Sequence, residues 1–311
     1  MRKLSAALGL CCVVGLATPV WTPAAIADTV FSVIAGEPEW LAHAAQLAIH
    51  LDHESNLRIL PVLGVGGVQA FSDLVELPNI DAAIVASDSL AYARGQNLIS
   101  EKKSISFIAK LAPLDVVLIA RTDIKNVTAL AGKRVATGPA QSAGFATGEI
   151  LFGALEVPFL RVPQQGELAV AALVSGQADA ALVLGTSFQK LALSGGRFHV
   201  LNVAMPPSLV EIYQPAILTA ETLPGLIAPG KTIESVSASL ILAAQNWPRS
   251  SSRAATLNIF GSQFYKTKGA GISENLAASV LGWSRHASTQ ELLNQSKSDS
   301  STIITPTGGE P

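Results

Sequence analysis

Short apolar runs alternate with amphipathic stretches along most of this chain. Val30–Ala35, Leu57–Leu63 and Ile80–Ala86 are apolar runs of strand length. Between them, Glu39–Leu51 and Val68–Leu77 carry apolar residues at helical spacing. This order predicts a βαβαβ unit, whose right-handed crossovers produce a mostly parallel sheet.

A second unit of the same kind begins near Asp115. Its predicted elements are the strands Val116–Ala120, Arg134–Thr137 and Ala180–Leu184 and the helices Phe145–Leu155 and Glu167–Val174. The segment from Ile80 to Ser87 (IDAAIVAS) resembles the segment from Ala178 to Gly185 (ADAALVLG). In each, an Asp precedes a buried strand and the start of a helix. Two similar α/β lobes that face each other are the simplest account of this repeat.

The last third of the chain is expected to return to the first lobe. Its predicted elements are the strands Ala216–Thr219 and Val236–Ala243 and the helices Ser250–Tyr265 and Glu274–Leu281. The predicted architecture is therefore two doubly wound α/β lobes joined by a hinge with two crossings. We assign 28–112 plus 212–295 to lobe 1 and 113–211 to lobe 2. The Ser/Thr/Gly/Pro-rich tail, 296–311, is expected to be disordered.

The N-terminus has the pattern of a secretory signal, which we place at 1–27. Arg2 and Lys3 precede an apolar run from Leu4 to about Leu16, and Ala25-Ile26-Ala27 is a small-x-small cleavage site. The alternative is an uncleaved membrane anchor, but the apolar run is shorter than the roughly 20 residues that span a bilayer. The pattern predicts a periplasmic protein.

Cysteine usage and charge exclude several classes of function. Cys11 and Cys12 are the only cysteines, and both lie in the signal segment. The mature chain then has neither disulfides, thiol catalysis nor Cys-ligated metals. Without Arg2 and Lys3, the Lys+Arg count of 21 falls by two against 23 Asp+Glu, a net charge of about −4. That balance does not suit a nucleic-acid partner. No cofactor and no catalytic residue is predicted.

Five loops are candidate ligand sites. In open α/β sheets, ligands bind beyond the carboxyl ends of strands, where the free N–H groups and dipole of a helix N-terminus favour anions or carbonyl oxygens. The candidate ligand-binding residues are Gly36 and Glu37; Gly66, Gly67, Val68 and Gln69; Ser87 and Asp88; Gln141, Ser142, Ala143 and Gly144; and Gly185 and Thr186. For each loop the alternative is an ordinary turn.

Several of these segments resemble a known family. The stretch Leu130–Gly138 (LAGKRVATG) followed by Gln141–Gly144 (QSAG), and Gly66–Ala70 leading to Asp81-Ala82-Ala83, are similar to motifs of the TAXI group of TRAP-transporter solute receptors. Further similar segments follow in the same order: Leu226–Gly230, Asn246–Pro248 and Gly282–Ser284. The resemblance covers roughly Phe31 to Leu293. It implies the type II periplasmic binding fold, a small carboxylate-bearing ligand such as an amino acid or oxo-acid, and a TRAP membrane subunit as partner.

The first loop departs from the family pattern. Where the family has a Gly-Gly-Thr-Tyr-type run, this chain has Glu37-Pro38-Glu39-Trp40. The second loop has Val68-Gln69 where Ser and Asn are commoner. Acidic residues at this place either repel a ligand carboxylate or pair with a ligand ammonium group. A periplasmic sensor or adaptor with an altered pocket is therefore the alternative to a transport receptor.

Two other functions are weaker alternatives. A serine esterase would use Ser142, Asp179 and His199, because Ala140–Gly144 approximates Gly-x-Ser-x-Gly. A metal receptor would use the histidines and acidic residues of one helical region, with the solvated face and cationic end of a surface helix as the alternative; these residues are His43, His50, Asp52, His53 and Glu54.

Five further side chains are candidates for a pocket wall. Arg94, Arg121 and Arg161 are candidate anion clamps, with surface ion pairs as the alternative. Tyr213 and Phe188 are candidate wall residues, with a core position as the alternative.

Overall fold

The computed structural model describes residues 29–52, 57–100, 104–185, 193, 196–273 and 275–302, with side chains up to 295. The predicted signal segment and its two cysteines lie outside this part of the chain. The described residues form ten strands, β1 Thr29–Ala35, β2 Leu57–Leu63, β3 Ala82–Ala86, β4 Ile105–Arg121, β5 Arg134–Ala136, β6 Leu160–Val162, β7 Ala180–Leu184, β8 Phe198–Val200, β9 Gln214–Thr219 and β10 Thr232–Gln245. They also form seven α-helices, α1 Leu41–Leu51, α2 Gly67–Glu76, α3 Ser87–Gly95, α4 Ala143–Ala154, α5 Gly166–Val174, α6 Ser252–Lys266 and α7 Ala287–Thr302.

The two βαβαβ units have the same strand arrangement, although the second unit begins at β5 and not, as predicted, at Val116–Ala120. In the first, β1 pairs in parallel with β2 and β3, and β10 runs antiparallel beside β3. In the second, β5 pairs in parallel with β6 and β7, and β4 runs antiparallel beside β7. Eight of the ten strands follow the order β2-β1-β3-β10-β4-β7-β5-β6, while β8 pairs with β4 and β9 pairs with β10. The predicted α/β fold with two doubly wound lobes is confirmed.

The repeated Asp has the same role in both units. The Asp81 N–H donates to the Ser32 carbonyl at 3.0 Å, and Asp81 Oδ2 accepts from the Ser32 N–H at 2.9 Å. The Asp179 N–H donates to the Arg134 carbonyl at 2.7 Å, and Asp179 Oδ2 accepts from the Arg134 N–H at 3.0 Å. Each Asp thus joins the start of a unit's last strand to its first strand.

The long strands β4 and β10 join the lobes. Residues Ile105–Asp115 of β4 pair with β10, and residues Val116–Ala120 pair with β7. The predicted strand Val116–Ala120 is therefore only the end of a much longer one. Lys110 and Asp115 interrupt the apolar pattern of β4, which conceals its length in the sequence.

The contacts of β9 place the second passage between the lobes later in the chain than the predicted boundary at residue 212. β9 pairs with the first part of β10, and Leu218, Leu223 and Ile227 pack in one apolar cluster with Val117 and Ile119 of β4. Those contacts group β9 with lobe 2 and place the passage within β10. The lobe boundaries themselves stay a prediction.

Helix α6 packs on the first lobe, as expected for the returning chain. Phe260 of α6 stacks on Phe31 of β1, with ring centroids 4.2 Å apart and an interplanar angle of 8°. Both rings are fully buried, so this contact anchors α6 on the first sheet by apolar burial and aromatic stacking.

One prediction near the C-terminus is wrong. Residues 275–281 form turns, not the predicted helix Glu274–Leu281. Asn275 Oδ1 accepts from the Ala277 N–H at 3.0 Å, a local bond that competes with helical pairing. Helix α7 extends to Thr302, and the disorder expected for the tail stays a prediction. Residues 303–311 lie outside the described part.

Candidate functional site

The first loop packs directly against the start of α2. The Gly36 N–H donates to the Ile84 carbonyl at 2.9 Å, and a Cβ on Gly36 would lie 2.9 Å from Gly67 Cα. Pro38 restricts the preceding residue to extended backbone, and Glu37 has φ −126° and ψ 151°. This backbone directs the Glu37 side chain across the front of α2.

The Glu37 carboxylate accepts hydrogen bonds from both lobes. Its Oε1 accepts from the Gly67 N–H of α2 at 2.9 Å and from the Ala143 N–H of α4 at 2.6 Å. Its Oε2 accepts from Gln165 Nε2, which precedes α5, at 2.7 Å. Glu37 is only 3% exposed. One carboxylate therefore lies at the N-termini of two helices from different lobes, the position that favours an anion.

The electrostatics of Glu37 combine opposing effects. Burial raises its pKa above the ordinary 4.5, whereas the bonds from Ala143, Gly67 and Gln165 lower it, and the charge of Glu39 raises it further. Within the described residues, no Lys or Arg forms an ion pair with Glu37. Backbone N–H groups, helix dipoles and one amide hold this charge.

The two lobes touch backbone to backbone beside Glu37. The Val68 N–H donates to the Gln141 carbonyl at 2.9 Å. A Cβ on Gly66 would lie 2.4 Å from the same Gln141 oxygen, so only glycine permits this approach. Gln141 itself has φ 70°, a left-handed conformation that presents its carbonyl to α2. The lobes are therefore closed on each other.

Asp88 forms a second connection between the lobes. It is 1% exposed, and its Oδ2 accepts from Thr147 Oγ1 of α4 at 2.6 Å and from the Tyr213 hydroxyl at 2.7 Å. Its Oδ1 has no hydrogen-bond partner among the described residues. Burial raises the pKa of Asp88 above its ordinary 3.8, although both hydroxyl bonds oppose that shift.

The space beside Glu37 is small among the described residues. A cavity of about 20 Å³ remains beside Glu37, lined by Glu37, Glu39, Trp40, Ala143, Gly144, Gln165, Gly166, Leu182 and Leu184. That volume accommodates about one water molecule. Glu39 lies at its rim near Gly166, and partial burial and the charge of Glu167 raise the pKa of Glu39. As the described residues line it, this cavity has no room for an amino acid.

The structure brings most of the candidate ligand residues together. Those at the contact between the lobes are Glu37, Gly66, Gly67, Val68, Gln141, Ser142, Ala143 and Gly144. Gly36 packs behind them on Gly67, and Asp88 forms the second connection. That these residues contact a ligand stays a prediction.

Three candidates lie in other contacts. Gln69 Nε2 donates to Asp73 Oδ1 at 2.9 Å, along α2. Ser87 Oγ accepts from the Ser239 N–H at 3.0 Å, which ties α3 to β10. The Gly185 N–H donates to the Asp115 carbonyl at 2.9 Å. Thr186 lies outside the described residues.

Sequence reasoning missed Gln165 and Thr147. Gln165 precedes α5 and Gly166 is the first residue of α5, the same places in the repeat that Gly66 and Gly67 have at the start of α2. The repeat was therefore the signal that points to Gln165. Thr147 lies on the buried face of α4, where no local pattern distinguishes it from a core residue.

The three residues of the esterase alternative each form hydrogen bonds with different partners. Ser142 is the N-cap of α4, and its Oγ accepts from the Phe145 N–H at 3.1 Å. Asp179 bonds Arg121 and Arg134, and His199 Nε2 contacts the Ile124 carbonyl at 2.7 Å. These contacts do not form a Ser–His–Asp arrangement.

The described residues likewise form no candidate metal site. No group of three or more His, Cys, Asp or Glu in that part of the chain has the arrangement to hold a metal ion. His43 is half-buried, and burial lowers its pKa, whereas His50 is exposed. His53 and Glu54 lie outside the described residues.

The candidate wall residues have the following places. Arg121 pairs with Asp123 and Asp179. Arg161 pairs with Glu149 and lies over the Phe145 ring. Arg94 lines a separate crevice with Trp283. Tyr213 is buried and bonds Asp88, so it belongs to the junction between the lobes. Phe188 lies outside the described residues.

Fold and cleft together define the class: a bilobed α/β protein with the type II periplasmic binding fold. No family model and no curated protein matches the sequence. Among solved structures, a periplasmic transporter is 13% identical and matches with a TM-score of 0.50, covering 91% of this chain and 99% of that chain. This likeness shows the fold.

Two other matches have TM-scores below 0.5. MatC from Rhodopseudomonas palustris with bound malate is 18% identical, covers 89% of this chain and 99% of its own, and has a TM-score of 0.49. The alkanesulfonate-binding protein SsuA from Xanthomonas axonopodis pv. citri bound to MOPS is 14% identical, covers 87% of this chain and 76% of its own, and has a TM-score of 0.46.

Among the described residues, none of the helices has both the length and the apolar character that a membrane span requires.

Proposed function

We propose that this chain is an extracytoplasmic solute-binding receptor that captures a small polar molecule between its lobes for a TRAP-type membrane subunit. The observation that carries the proposal is the convergence of α2 and α4, from different lobes, on one carboxylate in the cleft. The predicted signal segment supports export to the periplasm, and the resemblance to the TAXI group supports the transport partner.

Binding works without covalent chemistry. A ligand that contacts residues of both lobes makes part of its contacts only when the lobes are closed. It therefore shifts the hinge equilibrium toward the closed form by that difference in contacts. The closed form is then the one that docks on the membrane partner.

A second candidate is a periplasmic sensor or adaptor whose cleft is filled by its own side chain. The position of Glu37 favours this candidate, because its side chain fills the space between α2 and α4 and leaves about 20 Å³ beside it. Such a protein passes on a signal by docking alone. The two candidates differ in one respect: only the receptor binds a small molecule in the cleft.

Thermal-shift screening of the mature native chain separates the candidates. The library contains amino acids, oxo-acids, dicarboxylates, neutral polar molecules and amines. A cleft ligand present at a hundredfold excess over its Kd stabilises the fold by about 2.7 kcal/mol. A hit supports the receptor, the absence of any hit supports the adaptor, and hydrolysis of a chromogenic ester would restore the enzyme alternative.

Two glycine variants locate any hit. Gly66→Ala places a methyl group against the Gln141 carbonyl, whereas Gly153→Ala adds one on α4 where nothing lies within 4 Å. A ligand bound between the lobes loses affinity in Gly66→Ala and keeps it in Gly153→Ala. Equal affinity in both variants would place the ligand outside the cleft.

A further inference from the structure

We propose that Glu37 is a built-in ligand carboxylate: it occupies the anion site between the lobes and excludes free carboxylates from the native cleft. This inference rests on the proposed function in that it takes the cleft as the ligand site. It also names the ligand class of a native receptor, which is a neutral or cationic polar molecule.

The hydrogen-bond donors around Glu37 are all used by its own carboxylate. The Gly67 and Ala143 N–H groups each have one hydrogen, and both donate to Glu37 Oε1. Gln165 Nε2 occupies the other carboxylate oxygen. These donors come from two helices of at least ten residues and from the residue that precedes a third. An incoming carboxylate finds these donors already in use.

Glu37 competes with any free carboxylate for the N–H groups of this site. Glu37 is attached to the site by a loop that Pro38 and the packing of Gly36 on Gly67 hold in place. A tethered group acts at an effective concentration of about millimolar or more, with no loss of translational freedom on binding. A free carboxylate with the same two N–H contacts must displace this group, and it pays the entropy that Glu37 does not.

The rim of the remaining cavity is negatively charged. Glu39 lines the remaining cavity, and Glu167 is near enough to affect Glu39 electrostatically. Within the described residues, neither Glu37 nor Glu39 has an ion-pair partner. A second free carboxylate therefore meets uncompensated negative charge, whereas a cationic or neutral ligand does not.

Removal of the Glu37 side chain tests the inference. Glu37→Ala in the mature chain deletes a CH2–carboxylate, which leaves a space that acetate matches. We expect a lower thermal midpoint than that of the native protein and a concentration-dependent recovery in acetate at neutral pH, with chloride at equal ionic strength as reference. We expect acetate to bind Glu37→Ala at least about tenfold more tightly than the native chain.

Glu37→Gln is the matched control variant, and acetamide is the control ligand. Gln keeps the size of Glu and leaves no vacancy, so acetate should not restore the stability of Glu37→Gln. Acetamide has the shape of acetate without its charge, so it should rescue Glu37→Ala less. Equal effects of acetate on all three proteins would overturn the inference, as would a thermal midpoint in Glu37→Ala equal to the native one.

Failure to fold is itself informative. If Glu37→Ala does not fold alone, it is refolded from urea in acetate and in chloride. Recovery only in acetate supports the inference, and failure in both buffers contradicts it. The outcome is independent of the proposed function: rescue of Glu37→Ala with no native ligand in the screen leaves Glu37's role intact and removes the receptor. Strong binding of carboxylates to the native chain would instead contradict the role of Glu37 and leave the receptor function intact.

Discussion

Asp88 is a carboxylate enclosed almost completely at the junction of the lobes. It has two hydroxyl donors, no cationic partner among the described residues and one oxygen without a hydrogen bond. Burial without compensating charge favours the protonated form, which is why the folded-state pKa of Asp88 is raised. The folded state then binds a proton at a pH where the unfolded chain has released it.

This linkage predicts the direction of the pH dependence. Between the ordinary pKa of Asp88 and its raised folded value, lowering the pH stabilises the fold, and the gain is complete below the ordinary value of 3.8. Asp88→Asn, which stays neutral, should flatten this part of the profile. Urea-denaturation midpoints of both proteins, compared from neutral pH down to the ordinary value of 3.8, measure it. Identical slopes for the two proteins would contradict the assignment to Asp88.

At the scale of elements, the start of α4 carries both the lobe contact and the former esterase candidate. Ser142 caps this helix through the Phe145 N–H. Ser142→Ala should cost about 1 kcal/mol of unfolding free energy, as loss of an N-cap usually does. Denaturation in urea measures the cost.

Ser251 is the matched control for Ser142. It caps α6 by accepting from the Ala254 N–H at 3.2 Å, on an element that packs on the first lobe away from the cleft. Ser251→Ala should cost a similar amount. If any ester hydrolysis is lost in Ser142→Ala and kept in Ser251→Ala, the interpretation of Ser142 as a helix cap alone is wrong.

At the scale of the whole molecule, closure depends on the absence of a side chain at Gly66. A methyl group there meets the Gln141 carbonyl of the other lobe, a backbone atom that cannot rotate away. Gly66→Ala should therefore leave each lobe folded and hold the lobes apart. We expect a larger radius of gyration by small-angle scattering with unchanged circular dichroism, and a native radius for Gly153→Ala. A native radius for Gly66→Ala would show that the backbone contact is not required for closure.

The local elements could be predicted because their causes are local. Apolar runs and helical spacing located β2 and β7 with their observed bounds, and the doubled Asp-strand segment indicated two lobes. The strands β6 and β8 were missed; each has only three residues, and at that length the apolar pattern indicated β5 but neither of these two. The Asn275 turn was missed because a side-chain bond to the backbone overrode helical propensity.

The sequence by itself determined the bilobed α/β architecture and the helix N-termini at which a ligand is expected. It also showed that the first loop is acidic, and left open whether those acids repel a ligand or pair with one. Only the tertiary structure decided where Glu37 lies. Its three donors are 30, 106 and 128 residues away along the chain. Contacts at such separations arise from the packing of the lobes, which no local periodicity records.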